Sequence, residues 1–219
     1  MPDSSRKNDR YPGYDVLAKR QTPSWNEPTR RAVDQRLAVP REPRCLSPAQ
    51  FAVLEALAAR ILPQPRTRAP IPVAALVDQK LHIGQQDGFR GPGMPRQDEA
   101  WRIGLDAVDA EAQTQHGETF VALDAAVQDR LIRDIGEGRV SHPAWGTMPP
   151  KGFYKQRLMH DLVMAYYSHP TAWNEIGFGG PASPRGYVRM GFNRRDPWEA
   201  VEAKPGEADK ARAENARVR

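Results

Sequence analysis

Apolar residues in this chain recur at steps of three and four in five separate stretches, and no stretch shows the alternation of a half-buried strand. That pairing restricts the fold to helices packed on helices. The first stretch opens at Ser47–Pro48, an N-cap with proline at the first helical position. Phe51, Leu54, Ala58, Ile61 and Leu62 then share one stripe until Pro63 and Pro65 stop it. The second begins at Pro72, carries Val73, Leu76, Val77 and Leu81 on one face, and ends near Gly84. A Gly/Pro-rich loop over 84–97 follows. The third runs from Gln97 to His116 with Trp101, Leu105, Val108 and Ala112 inward. Asp124 caps the fourth, where Val127, Leu131, Ile132 and Ile135 face in and Gly136 and Gly138 close it. The fifth and most apolar, Gly152–Ser168, sets Tyr154, Leu158, Asp161, Leu162, Ala165 and Tyr166 on a broad stripe. The predicted fold class is therefore all-α, a small bundle of about five helices.

The flanks read differently. Residues 1–45 carry Pro12, Pro23, Pro28, Pro40 and Pro43 and are predicted to form an extended arm, with room for one short helix over Thr29–Leu37. Its Tyr11, Tyr14, Leu17 and Trp25 are costly to leave in water, so the arm is expected to lie on a surface. Residues 46–198 form the predicted helical domain, ending in a Gly/Pro/aromatic-rich segment from His169. Residues 199–219 are charged, lack large apolar side chains and are expected to be disordered or a frayed helix.

Charge follows the same division. Residues 1–45 hold ten Lys/Arg against six Asp/Glu, whereas residues 46–182 hold 13 against 15. Residues 183–198 hold four arginines and only Asp196. The basic excess lies in the flanks, scattered among proline and glycine rather than gathered on a helix face, which argues against nucleic acid as partner. No run approaches the roughly 18 apolar residues of a membrane span. The first twenty residues have no apolar core segment, so a cleaved signal is not expected and the chain reads as cytoplasmic as encoded, with periplasmic delivery by co-export on a partner left open. Cys45 is the only cysteine, which excludes an intramolecular disulfide and a cysteine-based metal or redox motif.

Candidate chemistry is sparse. His160–Asp161 suggests the HD dipeptide of metal-dependent phosphohydrolases, with His142 as a further ligand; a stand-alone metal-dependent hydrolase is one alternative reading, and a nucleic-acid-associated protein using its basic arms is the other. The structural alternative is that Asp161 bonds to a nearby backbone group or arginine. His82 and His116 fall at predicted helix ends, where an imidazole suits the dipole. The glycines of Ile176–Pro181 follow a helix rather than a strand and lack the dinucleotide spacing. No catalytic residue, metal ligand or cofactor loop is assigned to this chain. In the segment 169–198, by contrast, Trp173, Phe178, Tyr187, Phe192 and Trp198 interleave with arginine, the side-chain types that dominate interface hot spots.

The order of these features carries a resemblance. LSPAQFAVLEALAARILPQP (Leu46–Pro65), PVAALVDQKL (Pro72–Leu81) and FYKQRLMHDLVMAYYSHPTAW (Phe153–Trp173), running into NEIGFGGP (Asn174–Pro181), resemble the gluconate 2-dehydrogenase subunit 3 family. The resemblance implies a non-catalytic accessory or maturation subunit beside a large FAD-dependent dehydrogenase of the glucose-methanol-choline (GMC) type. FAD would sit in that partner, and a cytochrome c subunit is a further possible companion. Where family members often show Tyr-Gly-Gly-Asn, this chain has Thr171, Ala172, Trp173 and Asn174, so only Asn174 and the turn Ile176–Gly180 carry over. The expected partner-binding residues are Tyr11, Tyr14, Trp25, Trp173, Asn174, Ile176, Gly177, Phe178, Gly179, Gly180, Arg185, Tyr187 and Arg189.

Overall fold

A computed structural model describes residues 9–186, 188–192 and 194–218, and every regular element among them is helical. The chain divides into two compact units, one of residues 39–166 and one that joins residues up to 38 with those from 167 onward.

The 39–166 unit is built on α2 (Pro48–Ile61), which packs against α3 (Val73–His82), α4 (Gln97–His116) and α5 (Ala125–Glu137); α1 belongs to the other unit. Its start is a capping box: Ser47 Oγ accepts from the Gln50 N–H at 3.2 Å, and Gln50 Oε1 accepts from the Ser47 N–H at 3.1 Å. The Asp124 carboxylate caps α5 by accepting from the N–H groups of Ala126 and Val127. The core gathers Leu54, Leu57, Trp101, Leu105, Leu131, Ile135, Phe153, Leu158 and Leu162. Trp101 and Trp145 pack on the Phe153 ring at 5.5 and 5.7 Å.

Two buried carboxylates hold loops to this core. Asp78 on α3 accepts from the backbone N–H groups of Arg44, Cys45 and Leu46, fixing the approach to α2. Glu111 on α4 accepts from the His142 N–H and from Trp145 Nε1. The late helix departs from the single predicted run. It comprises α6 (Pro150–Phe153), a π-helical turn (Tyr154–Met159) and α7 (His160–Ser168). A π turn inserts a residue without ending the helix, so the apolar stripe reads as continuous in sequence.

The second unit contains a 3-10 helix (Val16–Gln21), α1 (Glu27–Leu37), α8 (Pro170–Ile176) and α9 (Ala208–Asn215). Helix α1 takes in the short helix expected over Thr29–Leu37 and starts two residues earlier, the 3-10 helix at Val16–Gln21 was not expected, and the charged tail contributes α9. Tyr14, Val16, Trp25, Val33, Trp173 and Val218 form one buried cluster. Each aromatic there removes on the order of 150–250 Å² from water, about 4–6 kcal/mol by transfer, which offsets the ordering of a short segment. Asn215 joins the ends of the chain, donating to the carbonyls of Pro12 and Val201 and accepting from the Val201 N–H.

Candidate partner-binding surface

Tyr11, Tyr14, Trp25, Trp173, Asn174 and Arg185, six of the sequence-predicted residues, meet at the turn after α8. Asn26 caps α1 by accepting from the Thr29 N–H and donates its own N–H to the Ser183 carbonyl, so the start of α1 is held against the segment beyond that turn. His169 caps α8 by accepting from the Thr171 N–H. The helix ends on Gly177 in the left-handed conformation, with φ of 65°. A Cβ at Gly177 would lie 2.5 Å from the Tyr11 ring, and one at Gly180 would lie 2.9 Å from the Trp25 ring. Glycine is required at both positions because aromatic rings press onto the backbone. The two glycines serve the packing of Tyr11 and Trp25 against this turn.

Asn174 Oδ1 accepts from the buried Val16 N–H at 2.8 Å. Lys19, fully buried, donates to the Tyr14 hydroxyl at 3.0 Å and the Gly179 carbonyl at 3.3 Å. Burial pushes its pKa down to about 8, the nearby Arg185 charge pushes the same way, and Glu199 opposes both. Burial likewise raises the Tyr14 phenol. Nothing in the local sequence singles out Lys19; only the packed environment does.

The His160–Asp161 pair lies in the other unit. Asp161 is buried and accepts from Gln97 Nε2 at 2.8 Å, Trp101 Nε1 at 3.0 Å and Arg157 at 2.8 Å. Asp87, His160 and Asp161 bring ligand-type atoms within 4.8 Å of one another. His142 is not in this group; its Nδ1 accepts from the Ala144 N–H. Arg157 already holds Asp161, and Lys80 holds Asp87 at 2.8 Å, so a divalent cation would compete with two protein cations. Burial would raise Asp87, but the hydrogen bond and charge of Lys80, with Arg157 and His160, outweigh it and keep the carboxyl below its ordinary range. The arrangement is a neutralised network that fastens the loop at Asp87 to the late helix.

A polar cleft of about 370 Å³ in the terminal unit is lined by Arg20, Gln21, Glu27, Arg30, Arg31 and Asp34. Its arginines pair with Glu27 and Asp34 rather than presenting an open cationic face.

The pattern of the family described as gluconate 2-dehydrogenase subunit 3 matches residues 48–180, more than half of the chain. The chain belongs to the gluconate 2-dehydrogenase subunit 3 family. Family membership associates it with a dehydrogenase complex. No curated protein and no solved structure matches it. The subunit 3 match starts at α2 and stops at Gly180, so residues 9–47 and 181–218 lie outside it.

Within this subunit 3 chain the predicted contact residues separate into two groups. Tyr14, Trp25 and Trp173 are core residues, Trp173 being 2% exposed, and they cannot be surface anchors. Their large apolar area is closed against one another, and Trp173 Nε1 donates to the Tyr167 carbonyl at 2.7 Å. Asn174 is engaged by Val16, Gly180 is buried, and Tyr11 is half-buried against Gly177. Gly179 lies against Lys19 and Arg185; Arg185 stacks over Trp198 at 5.1 Å and reaches the Gly179 carbonyl. Ile176, Phe178 and Arg189 remain exposed, with Phe178 set edge-on against Trp173 at 5.5 Å. Tyr187 lies outside the described residues. Val188 and Met190, which are not among the predicted contact residues, are also exposed, at 82% and 81%.

Among the described residues no helix is long and apolar enough to cross a membrane.

Proposed function

We propose that this chain is the small, non-catalytic subunit of a flavin-dependent sugar or alcohol dehydrogenase, binding a large FAD-containing subunit of the GMC type. The observation that carries the reading is the family match over α2 to the α8 turn. FAD and the proton and hydride chemistry belong to the large subunit in this account, and a cytochrome c subunit is a further companion. The role of this chain is to hold or mature that partner. Ile176 and Phe178, exposed at the end of the matched region, supply part of the contact. They sit on a turn whose backbone is fixed by Tyr11, Trp25 and Trp173, so little conformational freedom is lost when a partner covers them.

Affinity purification of the tagged chain from its native host, followed by a flavin absorbance spectrum, tests this. The expected eluate contains a larger flavoprotein in fixed stoichiometry, and this chain is colourless once separated. A tagged chain that elutes without any flavoprotein would overturn the reading.

A further inference from the structure

Helix α3 has an apolar cleft at its start and an exposed aromatic ring beyond its end. Phe51, Ala58, Ile71, Val73 and Ala75, from α2 and the start of α3, line a cleft of about 190 Å³, and the exposed Glu55 lines it too. An apolar cavity of about 150 Å³ accommodates benzene, so this cleft has room for a phenyl ring. Past the other end of α3, Ile83 is 59% and Phe89 78% exposed. The loop that carries Phe89 is pinned on both sides of the ring. Lys80 Nζ donates to the Asp87 carboxylate at 2.8 Å, and the Asp87 N–H donates to Gln97 Oε1 at 3.1 Å. The Gly91 N–H donates to Gln156 Oε1 at 3.0 Å. A ring held out on a fastened loop loses little further freedom when it docks.

We infer that Phe89 of each of two copies of this chain seats in the α2–α3 cleft of the other, making a two-fold dimer. The inference goes beyond the subunit reading and does not depend on it. Both halves of the contact are present in the 39–166 unit, and they match in size and in charge. Arg90 follows the ring and Glu55 lines the cleft; among the described residues neither is in an ion pair. Arg41 lines the same cleft, so like charge turns Arg90 toward Glu55. The unit holds 15 Lys/Arg against 15 Asp/Glu, so no net charge drives two such units apart. Reciprocity follows from α3 itself. Its ten residues set cleft and loop about 15 Å apart along one helix. Two α3 helices laid side by side in antiparallel sense bring the cleft end of each to the loop end of the other, and the contact then occurs twice. Leu76 and Ile83, seven residues apart on one side of α3, would lie along that axis.

Sedimentation velocity of the full-length chain, purified alone, tests this across about a hundredfold range of concentration. The wild-type chain is expected to pass from monomer to dimer and no further. The variant F89S should dissociate about 100-fold more readily, because both copies lose their anchor. E55R and R90E should each weaken the dimer about tenfold, and the double variant E55R/R90E should return to within about threefold of wild type. Circular dichroism reports helical content; should F89S lose it, the charge-swap set carries the test. A wild-type chain that stays monomeric at every concentration overturns the inference, as does a dimer that F89S leaves unchanged. Mass that climbs beyond the dimer means head-to-tail association and overturns the two-fold arrangement. A double variant no better than its single parents overturns the seat of Phe89 beside Glu55. Recovery of a flavoprotein from the host is read separately and judges only the subunit reading.

Discussion

Asn174 Oδ1 accepts from the Val16 N–H at 2.8 Å, joining the last turns of α8 to the start of the N-terminal 3-10 helix. The Val16 side chain is fully buried, so no solvent stands ready to replace the acceptor. Replacing Asn174 with Ala is expected to cost about 1–3 kcal/mol, the penalty for a stranded buried donor. Urea unfolding reads the loss, and limited proteolysis should cut earlier within residues 9–21. An unchanged unfolding midpoint would show that the bond contributes nothing.

Lys19 makes stability depend on pH. Its folded pKa of about 8 lies below the ordinary lysine value of 10.5, so between those limits the unfolded chain holds a proton that the folded chain does not. Stability therefore rises with pH through this window, and the full cost, on the order of 3 kcal/mol, is present below it. Tyr14, whose phenol is raised, opposes the rise at higher pH, so the slope is best read from pH 8 to about 9.5. Substituting Lys19→Met should flatten the profile there. A variant that keeps the wild-type slope would place the titrating group elsewhere.

In the helical unit, Asp161 balances Arg157 inside the core. The change Asp161→Asn removes the closer of the two carboxylates beside the buried Arg157 guanidinium, leaving Asp87 at 3.5 Å, and is expected to cost about 3 kcal/mol, the low end of the range for a broken buried pair. Pairing it with Arg157→Met should recover part of that loss, because the second change removes the guanidinium that lost its closer partner. Additive losses in a double-mutant cycle would mean that the two groups do not support one another.

Gly177 combines a positive φ with a ring face against its backbone. Gly177→Ala should destabilise by more than the roughly 1–2 kcal/mol of the left-handed conformation alone, since the Cβ meets Tyr11. In a Tyr11→Ala background the excess should vanish and the backbone term persist. Thermal melts of the four proteins decide it.

The helical unit was legible because its signals are local. Ser47–Pro48, Asp124 and Gly138 mark helix ends within a few residues, and Gln97–His116 matches the predicted span. The terminal unit was not, because its core joins Tyr14 and Trp25 to Trp173 and Val218 across most of the chain. Such residues follow no helical period, so their spacing marks them as apolar but not as mutually buried. Composition pointed to Trp173 as an interface residue for the same reason: an aromatic among glycines looks identical whether it meets its own chain or another. Asp161 finds the arginine partner that the sequence allowed, four residues away at Arg157, but Gln97, Trp101 and Asp87 reach the dipeptide from afar and leave no mark beside it.

The central claim is that this chain works as a partner subunit. Native mass spectrometry of the complex purified from its host, read with its flavin spectrum, tests this most directly. The account predicts one species containing this chain, a larger subunit and FAD, with the flavin following the larger subunit on dissociation. A chain found alone, or one that retains the flavin itself, would contradict it.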